Sequence, residues 1–315
     1  MPLTRETFRG SWAGLPVAWT SDDQFDESVY RADVASCCLA GMPGVYTGGT
    51  TGEFYAMELD EFCEVTRSTI EECHCHDIPA MIGCSATYTL GAVCRARIAV
   101  ELGADAIQVA LPFWMEIAER DIIPFFKSVA EAADGMPLSI YDTSRCKRTL
   151  TLDQHRSIKN AVPSYVMVKA TAGTIGAMPV GCQALSELIN VFVSETHWSE
   201  LGRCGARGGC SSMVYWNPQF TLDFWSKIEN DDWDAAGAIH QKVVTLFEFL
   251  FRQFGERGFT DTAFDRLGGI ACGFLKTSLR SRGPYLSATS DNIETLRKWC
   301  KTNLPEILCV NHNNN

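Results

Sequence analysis

The sequence has no hydrophobic run long enough to cross a membrane. Its densest apolar stretch, from Val243 to Phe251, is interrupted by Glu248, whereas a membrane helix needs about 20 apolar residues. The N-terminus also lacks a basic segment followed by an apolar one, the pattern typical of a secretory signal. We therefore expect a cytoplasmic protein that has no membrane partner.

Positive charge is scarce as well. The chain of 315 residues has 27 Lys and Arg against 38 Asp and Glu, which gives a formal net charge of −11. Binding to nucleic acid requires a cluster of basic residues that neutralises phosphates, and the sequence has no such cluster. We therefore expect no nucleic-acid partner.

The cysteines lack the spacing of a metal site or of a disulfide framework. Fourteen are scattered along the chain, and a cytoplasmic protein keeps its thiols reduced. The one dense cluster runs from Cys73 to His76. Adjacent side chains point to different sides of a helix there, and no second ligand pair follows at zinc-finger spacing. We expect no metal.

Short β-rich segments alternate with amphipathic stretches, the pattern of βα units around a parallel sheet. The predicted strands are Ser11–Trp19, Gly44–Gly48, Ala80–Cys84, Ala106–Leu111, Leu138–Tyr141, Tyr165–Lys169, Asn190–Ser194 and Ala206–Met213. The predicted helices include Asp60–Cys75, Thr89–Leu102, Ala118–Ala133, Leu152–Asn160 and Ala184–Leu188. Eight strands over about 230 residues indicate an α/β fold, a (β/α)8 TIM barrel. A doubly wound sheet would favour a GxGxxG motif after its first strand, and none occurs.

Strand signals stop after Asn217-Pro218, and the rest of the chain is predicted to be helical, with glycines between the segments. We predict a barrel domain over residues 1–230 and a C-terminal helical extension over residues 231–309. The asparagine-rich end, residues 310–315, is predicted to be disordered.

Two polar features follow predicted strands two and five, on the face where barrel enzymes place their active sites. The first is GGTTGE, where Gly49 lets the backbone approach a ligand and the hydroxyls and amides of Thr50 and Thr51 suit a carboxylate. The alternative is a tight turn. The second is Tyr141, whose phenol could relay protons to a substrate oxygen or only pack at the edge of the core.

A third polar feature is Lys169, which ends the apolar run from Tyr165 to Val168. A lysine that leaves an apolar interior is partly desolvated, which lowers its pKa and favours the neutral amine that attacks carbonyls. The alternative is a lysine whose ammonium group reaches the surface.

These motifs resemble the dihydrodipicolinate synthase / N-acetylneuraminate lyase superfamily of class I aldolases. GGTTGE, Tyr141, VMVKATAG around Lys169, and GGCSSM occur in that family's order along the whole chain. The resemblance implies that Lys169 forms a Schiff base with a 2-oxo acid such as pyruvate, while Tyr141 shuttles protons with Thr50 as a further catalytic residue. Such a lyase needs neither a metal nor an organic cofactor, because the covalent imine is the electron sink.

The resemblance also assigns binding roles. Thr50, Thr51 and the backbone at Gly49 would hold the carboxylate, and Ser211 and Ser212 would line the wall near the lysine. The family implies a homo-oligomer, either a tetramer or a dimer.

Two departures from the family pattern bear on the substrate. Trp114 stands where many members have a tyrosine that a neighbouring subunit contributes to the proton relay, and an indole N–H can only donate. The proline that follows the strand-five tyrosine in synthases is missing, which leaves Arg145 or Arg148 to bind an acidic substrate tail. The alternative is that both arginines are solvated loop cations.

A tryptophan at this place also resembles the hydratase-aldolase branch, which cleaves arylidene pyruvates. Trp114, Phe113 and Trp216 are therefore candidates to stack on an aromatic acceptor.

The leading interpretation is an aldolase or hydratase-aldolase that makes or breaks a C–C bond next to a 2-oxo acid, with an aldehyde as second partner. A dehydratase or deaminase on a sugar-acid-like or hydroxyproline-derived substrate would use the same imine. Two further readings are a phosphosugar enzyme, with Gly208-Gly209, Arg203 and Arg207 as a phosphate cradle, and a silent paralogue that binds a metabolite.

Overall fold

A closed barrel of eight parallel strands forms the centre of the protein, in a computed structural model that describes residues 3–309. Each strand pairs with the next along the chain, and the last pairs with the first. The strands are β1 (Gly10–Gly14), β2 (Val45–Thr47), β3 (Ala80–Gly83), β4 (Ala106–Val109), β5 (Leu138–Asp142), β6 (Tyr165–Ala170), β7 (Asn190–Phe192) and β8 (Gly208–Ser211). The predicted TIM barrel is confirmed.

Helices surround the barrel and continue beyond it. Those between and after the strands are α1 (Glu27–Leu39), α2 (Leu59–Cys75), α3 (Thr89–Leu102), α4 (Glu119–Ala132), α5 (Leu152–Ala161), α6 (Pro179–Ser186), α7 (Trp198–Gly202) and α8 (Pro218–Glu229). The C-terminal helices are α9 (Trp233–Phe254), α10 (Asp261–Cys272) and α11 (Ser290–Asn303). No helix among the described residues is long and apolar enough to cross a bilayer.

Every predicted strand overlaps an observed one, but some boundaries differ. The segment predicted as the first strand continues to Trp19, whereas β1 ends at Gly14. Helix α6 begins at Pro179, earlier than predicted, because proline suits the first helical position, where its missing N–H leaves no bond unmade. The division of the chain at residue 230 stays a prediction, and the tail at residues 310–315 lies outside the described residues.

The barrel interior is filled by large side chains. Trp12, Tyr46, Met81, Met167 and Phe192 form one buried cluster there. Side chains alternate along a strand, so Lys169, two residues after Met167, also points inward. The cluster therefore closes the barrel beneath Lys169, whose amine faces the carboxyl ends of the strands.

Trp216 belongs to the core rather than to a ligand site. Its side chain is 1% exposed and stacks on Phe247 of α9 with 6.4 Å between ring centroids. The other side is closed by Gly268 of α10, where an added Cβ would lie 1.7 Å from the indole. The suggestion that Trp216 stacks on an acceptor is therefore wrong.

A buried ion pair joins the loop after β2 to the C-terminal helices. Glu53 and Arg266 of α10 form it, and both side chains are fully buried. The same carboxylate accepts hydrogen bonds from the indole of Trp19 at 2.7 Å and from the backbone N–H of Arg282 at 2.9 Å. Glu53 is left-handed, with φ of 51°, so these contacts hold a backbone conformation that costs free energy.

Replacing Arg266 with methionine should lower the free energy of unfolding by about 3–5 kcal/mol, because it leaves the Glu53 carboxylate buried without its cation. Chemical denaturation of wild type and variant measures this difference. Arg156→Met is the matched control, since it removes an arginine from an exposed pair with Asp153 and should cost at most about 1 kcal/mol. Equal losses in the two variants would contradict the role assigned to the buried pair.

Candidate active site

The amine of Lys169 lies between two aromatic rings at the carboxyl end of the barrel. Its Nζ atom is 4.5 Å from the ring centroid of Tyr141 on β5 and 5.3 Å from that of Tyr46 on β2. The register places Tyr141 and Lys169 side by side on adjacent strands. Both rings attract a cation through their π faces, so this position stabilises a positive charge at the lysine nitrogen.

Acidic groups around Lys169 raise its pKa, whereas the sequence indicated a lowered pKa. Burial lowers the pKa of the lysine, as expected, but Tyr141, Cys210, Asp261 and Asp265 raise it, and the net pKa lies above the ordinary value. The expected net lowering of the pKa is therefore wrong. The lysine rests as an ammonium ion at neutral pH and must lose a proton before it can attack a carbonyl.

The phenol of Tyr141 is linked to the threonine loop. Its hydroxyl shares a hydrogen bond of 3.3 Å with the hydroxyl of Thr50, and the guanidinium of Arg145 donates to it at 3.5 Å. The ring itself is buried against Lys169. The structure thus brings together the three predicted catalytic residues, Lys169, Tyr141 and Thr50.

The loop GGTTGE packs too tightly for larger residues. A Cβ added to Gly49 would lie 2.1 Å from the hydroxyl oxygen of Tyr46, and Gly48 has φ of +73° with the backbone of Gly83 against it. The hydroxyl of Thr51 donates to Asp265 on α10 at 2.6 Å. The loop is therefore held from the barrel side by Tyr46 and from the helical side by α10.

A cavity of about 430 Å³ opens outside Tyr141 and Thr50. Arg145 and Asp261 stand in its wall as an ion pair, with one guanidinium nitrogen 3.0 Å from each carboxylate oxygen. The remaining wall is largely aromatic, and its aromatic members are Phe54, Tyr55, Phe113, Phe259 and Tyr285. The amine of Lys169 thus lies against Tyr141, which also lines this outer cavity, and the one arginine among the described lining residues is paired with a carboxylate.

Comparison with known proteins shows the family to which a chain with this site belongs. The model of the dihydrodipicolinate synthetase family matches residues 7–302. The chain belongs to that family. Membership makes it a lyase-family protein of the pyruvate-dependent aldolase type.

Two relatives from this family can be aligned with most of the chain. A 4-hydroxy-tetrahydrodipicolinate synthase from Methanothrix thermoacetophila is 29% identical over 274 residues, which cover 86% of this chain and 91% of the relative. The same enzyme from Methanosarcina acetivorans is 25% identical and covers 86% and 92%.

Two solved structures share the fold. YagE from E. coli K12, in complex with pyruvate, has a TM-score of 0.85 and 19% identity and covers 96% of this chain and 99% of its own. PhdJ bound to a substrate intermediate has a TM-score of 0.83 and 21% identity and covers 96% and 98%.

The predicted serines face a carboxylate that the sequence analysis missed. Ser211 and Ser212 both donate to Glu195, at 3.0 and 3.1 Å, and Glu195 is buried. Glu195 follows β7 within a few residues, so the strand-end argument that selected Tyr141 could have found it. Asp265 gave no such signal, because it lies inside a helix distant in sequence from the barrel strands.

The two loop arginines have different surroundings. Arg145 reaches the cavity, whereas Arg148 donates to the carbonyl of Ile117 at 2.8 Å and to Glu119 at 2.7 Å. Trp114 is 72% exposed and does not line the cavity of this single chain, although its neighbour Phe113 does. Substrate contact by Trp114 stays a prediction.

The phosphate-cradle hypothesis for Gly208 and Gly209 is wrong. Gly208 and Gly209 begin β8, at the amino end of that strand, whereas Lys169 is the last residue but one of β6. Added Cβ atoms would lie 2.2 Å from the carbonyl of Gly10 and 2.3 Å from that of Val193, so strand packing accounts for both. Among residues 3–309, no three His, Cys, Asp or Glu side chains are grouped so that they could hold a metal ion.

Gly49→Ala should destabilise the protein by roughly 1–3 kcal/mol, because the new methyl group overlaps the buried Tyr46 hydroxyl and a packed core cannot absorb it. Thermal and chemical denaturation measure the change. Gly237→Ala makes the same substitution in α9 with nothing within 4 Å of the added Cβ, and should stabilise by up to about 1 kcal/mol. A Gly49→Ala protein as stable as wild type would show that the loop has room.

Proposed function

We propose that the protein is a class I lyase in which Lys169 forms a Schiff base with pyruvate or a related 2-oxo acid. The observation that carries this proposal is the position of its amine, between the rings of Tyr141 and Tyr46 and beneath the threonine loop. The pyruvate complex of YagE, which shares the fold, supports pyruvate as the donor or product.

Imine formation begins with loss of a proton from the Lys169 ammonium. The free amine attacks the C2 carbonyl of the 2-oxo acid and gives a carbinolamine, whose hydroxyl must leave as water. Tyr141 is the proton carrier for this step, since its hydroxyl is hydrogen-bonded to Thr50 and its ring stands beside the amine. The product is an iminium ion between the two aromatic faces that favour positive charge.

The carboxylate of the 2-oxo acid binds at the threonine loop. Thr50 is half-buried beside Tyr141, and the backbone amides of the loop are the donors suited to a carboxylate. Gly49 brings this backbone against the Tyr46 hydroxyl, next to Lys169. Binding there directs C2 towards the amine.

The iminium ion is an electron sink for chemistry at C3. Loss of a C3 proton, or cleavage of the C3–C4 bond, leaves its electron pair in an enamine, and the reverse reaction adds the enamine to an aldehyde. We propose that this chemistry proceeds with no metal or organic cofactor, because the imine supplies the stabilisation that either would provide.

We further propose an uncharged, bulky or aromatic aldehyde as the second partner. The outer cavity presents Phe113 and other aromatic side chains, and the charge of Arg145 is balanced by Asp261. PhdJ, bound to a substrate intermediate, shares the fold. A dehydratase or deaminase would use the same imine without releasing pyruvate, so pyruvate release separates the two reactions.

Borohydride treatment of wild type with pyruvate should leave a stable adduct of the reduced imine on Lys169, detected by intact-protein mass spectrometry and located by peptide mapping. Lys169→Ala should give no adduct. Lys227→Ala, which removes a half-buried lysine of α8 outside the site, is the matched control and should react like wild type. If no adduct forms with pyruvate or with longer 2-oxo acids, the Schiff-base proposal fails.

Asp261→Asn should shift acceptor preference towards acidic aldehydes, because it leaves the cation of Arg145 free to bind a carboxylate. The comparison is kcat/KM for benzaldehyde against kcat/KM for glyoxylate in pyruvate condensation. We expect the ratio to favour benzaldehyde in wild type and to move at least about tenfold towards glyoxylate in the variant, equivalent to one charge-assisted hydrogen bond. An unchanged ratio would remove Arg145 and Asp261 from acceptor selection.

A further inference from the structure

Asp265 is a buried acid at the edge of the proposed carboxylate site. It lies in α10, is 7% exposed and accepts a hydrogen bond from the Thr51 hydroxyl at only 2.6 Å. Within the described part of the chain no lysine or arginine forms an ion pair with it. The next residue, Arg266, forms its ion pair with Glu53 instead.

The groups that face Asp265 come from several elements, and two of them are carboxylic acids. They are Asp261 on the same helix, Thr51 on the loop after β2, Tyr215 in the short helix after β8, and Glu195 after β7, with Lys169 on β6 as the cation whose pKa it affects. Burial raises the pKa of Asp265 to about 7, Thr51 and Tyr215 lower it, and Asp261 and Glu195 raise it. Both protonation states are therefore populated near neutral pH.

We propose that Asp265 is a positioning residue for Thr51, and that the 2-oxo acid binds together with a proton on the Asp265 carboxyl. This inference rests on the proposed function, because it concerns the carboxylate of the same substrate. It identifies the group that decides whether the Thr51 hydroxyl can donate to that carboxylate.

The protonation state of Asp265 decides which hydrogen bonds the Thr51 hydroxyl can donate. An ionised carboxylate can only accept, so the Thr51 hydroxyl must donate to Asp265 and has no hydrogen left for the substrate. A protonated Asp265 can donate to the Thr51 oxygen, which frees the threonine hydrogen. An ionised Asp265 would also repel the negative charge of the incoming carboxylate across a poorly solvated gap.

No other step of imine formation exchanges a proton with solvent. A lysine ammonium and a ketone give an iminium ion and water, so the charges balance with no proton taken up or released. Proton uptake on pyruvate binding near neutral pH therefore reports on Asp265. Because binding raises its pKa, affinity is full below the pKa of the free site and falls as the pH rises through and above it.

Isothermal titration calorimetry of wild type with pyruvate, in two buffers of different ionisation enthalpy, measures this uptake. We expect about half a proton per site at pH 7 and close to one at pH 8, as a group with pKa near 7 requires. No uptake at either pH would overturn the proposal, and this test needs no variant.

Asp265→Asn is the decisive variant, since an amide has the carboxyl shape, stays neutral and donates to Thr51 at every pH. We expect it to match wild-type pyruvate affinity at pH 6, to bind about tenfold or more tightly than wild type at pH 8.5, and to take up no proton. The matched control, Asp291→Asn, removes an exposed acid of α11 that has no contact with the site and should keep the proton uptake. The same pH profile in wild type and Asp265→Asn would contradict the proposal.

Borohydride trapping at pH 6 separates this inference from the proposed function. Absence of an adduct at every pH would mean that Lys169 forms no imine, and both proposals would fail. An adduct whose pyruvate dependence is the same at pH 6 and pH 8.5 would leave the Schiff base intact and exclude the role of Asp265.

Discussion

The buried carboxylate of Glu53 holds the threonine loop in place between the barrel and the C-terminal helices. Its contacts with Trp19 and Arg266 fix a left-handed residue immediately after Thr50, Thr51 and Gly52. Because the loop is anchored at this point, its hydroxyls face Tyr141 on one side and Asp265 on the other. The helical extension is therefore part of the site rather than an addition to it.

Electrostatics around Lys169 favour a fixed positive charge. Asp261, which raises the pKa of the ammonium, and the faces of Tyr141 and Tyr46 would also stabilise the proposed iminium ion. In the proposed reaction, deprotonation of the lysine costs free energy, and the same surroundings then lower the energy of the charged intermediate. A proton carrier beside the amine is required by this arrangement, and Tyr141 has the contacts for that role.

Local sequence pattern predicted the barrel and its reactive face because parallel strands all end on one side. That geometry brings Lys169, Tyr141 and Thr50 together from three separate motifs. The pattern could not predict that Asp265 contacts the threonine loop or that Trp216 is buried in the core, since both depend on how α9 and α10 dock on the barrel. It also misjudged the pKa of Lys169, because burial of the stem is visible in sequence whereas the acidic groups around the amine come from distant elements.

A crystal structure of the protein soaked with pyruvate tests the central claim, that the anchored loop presents the 2-oxo acid to Lys169. We expect continuous electron density from Nζ to C2 of pyruvate, with the carboxylate on the hydroxyls and amides of Thr50 and Thr51. Pyruvate bound without a covalent link, or with its carboxylate on Arg145 and no contact to the loop, would contradict it.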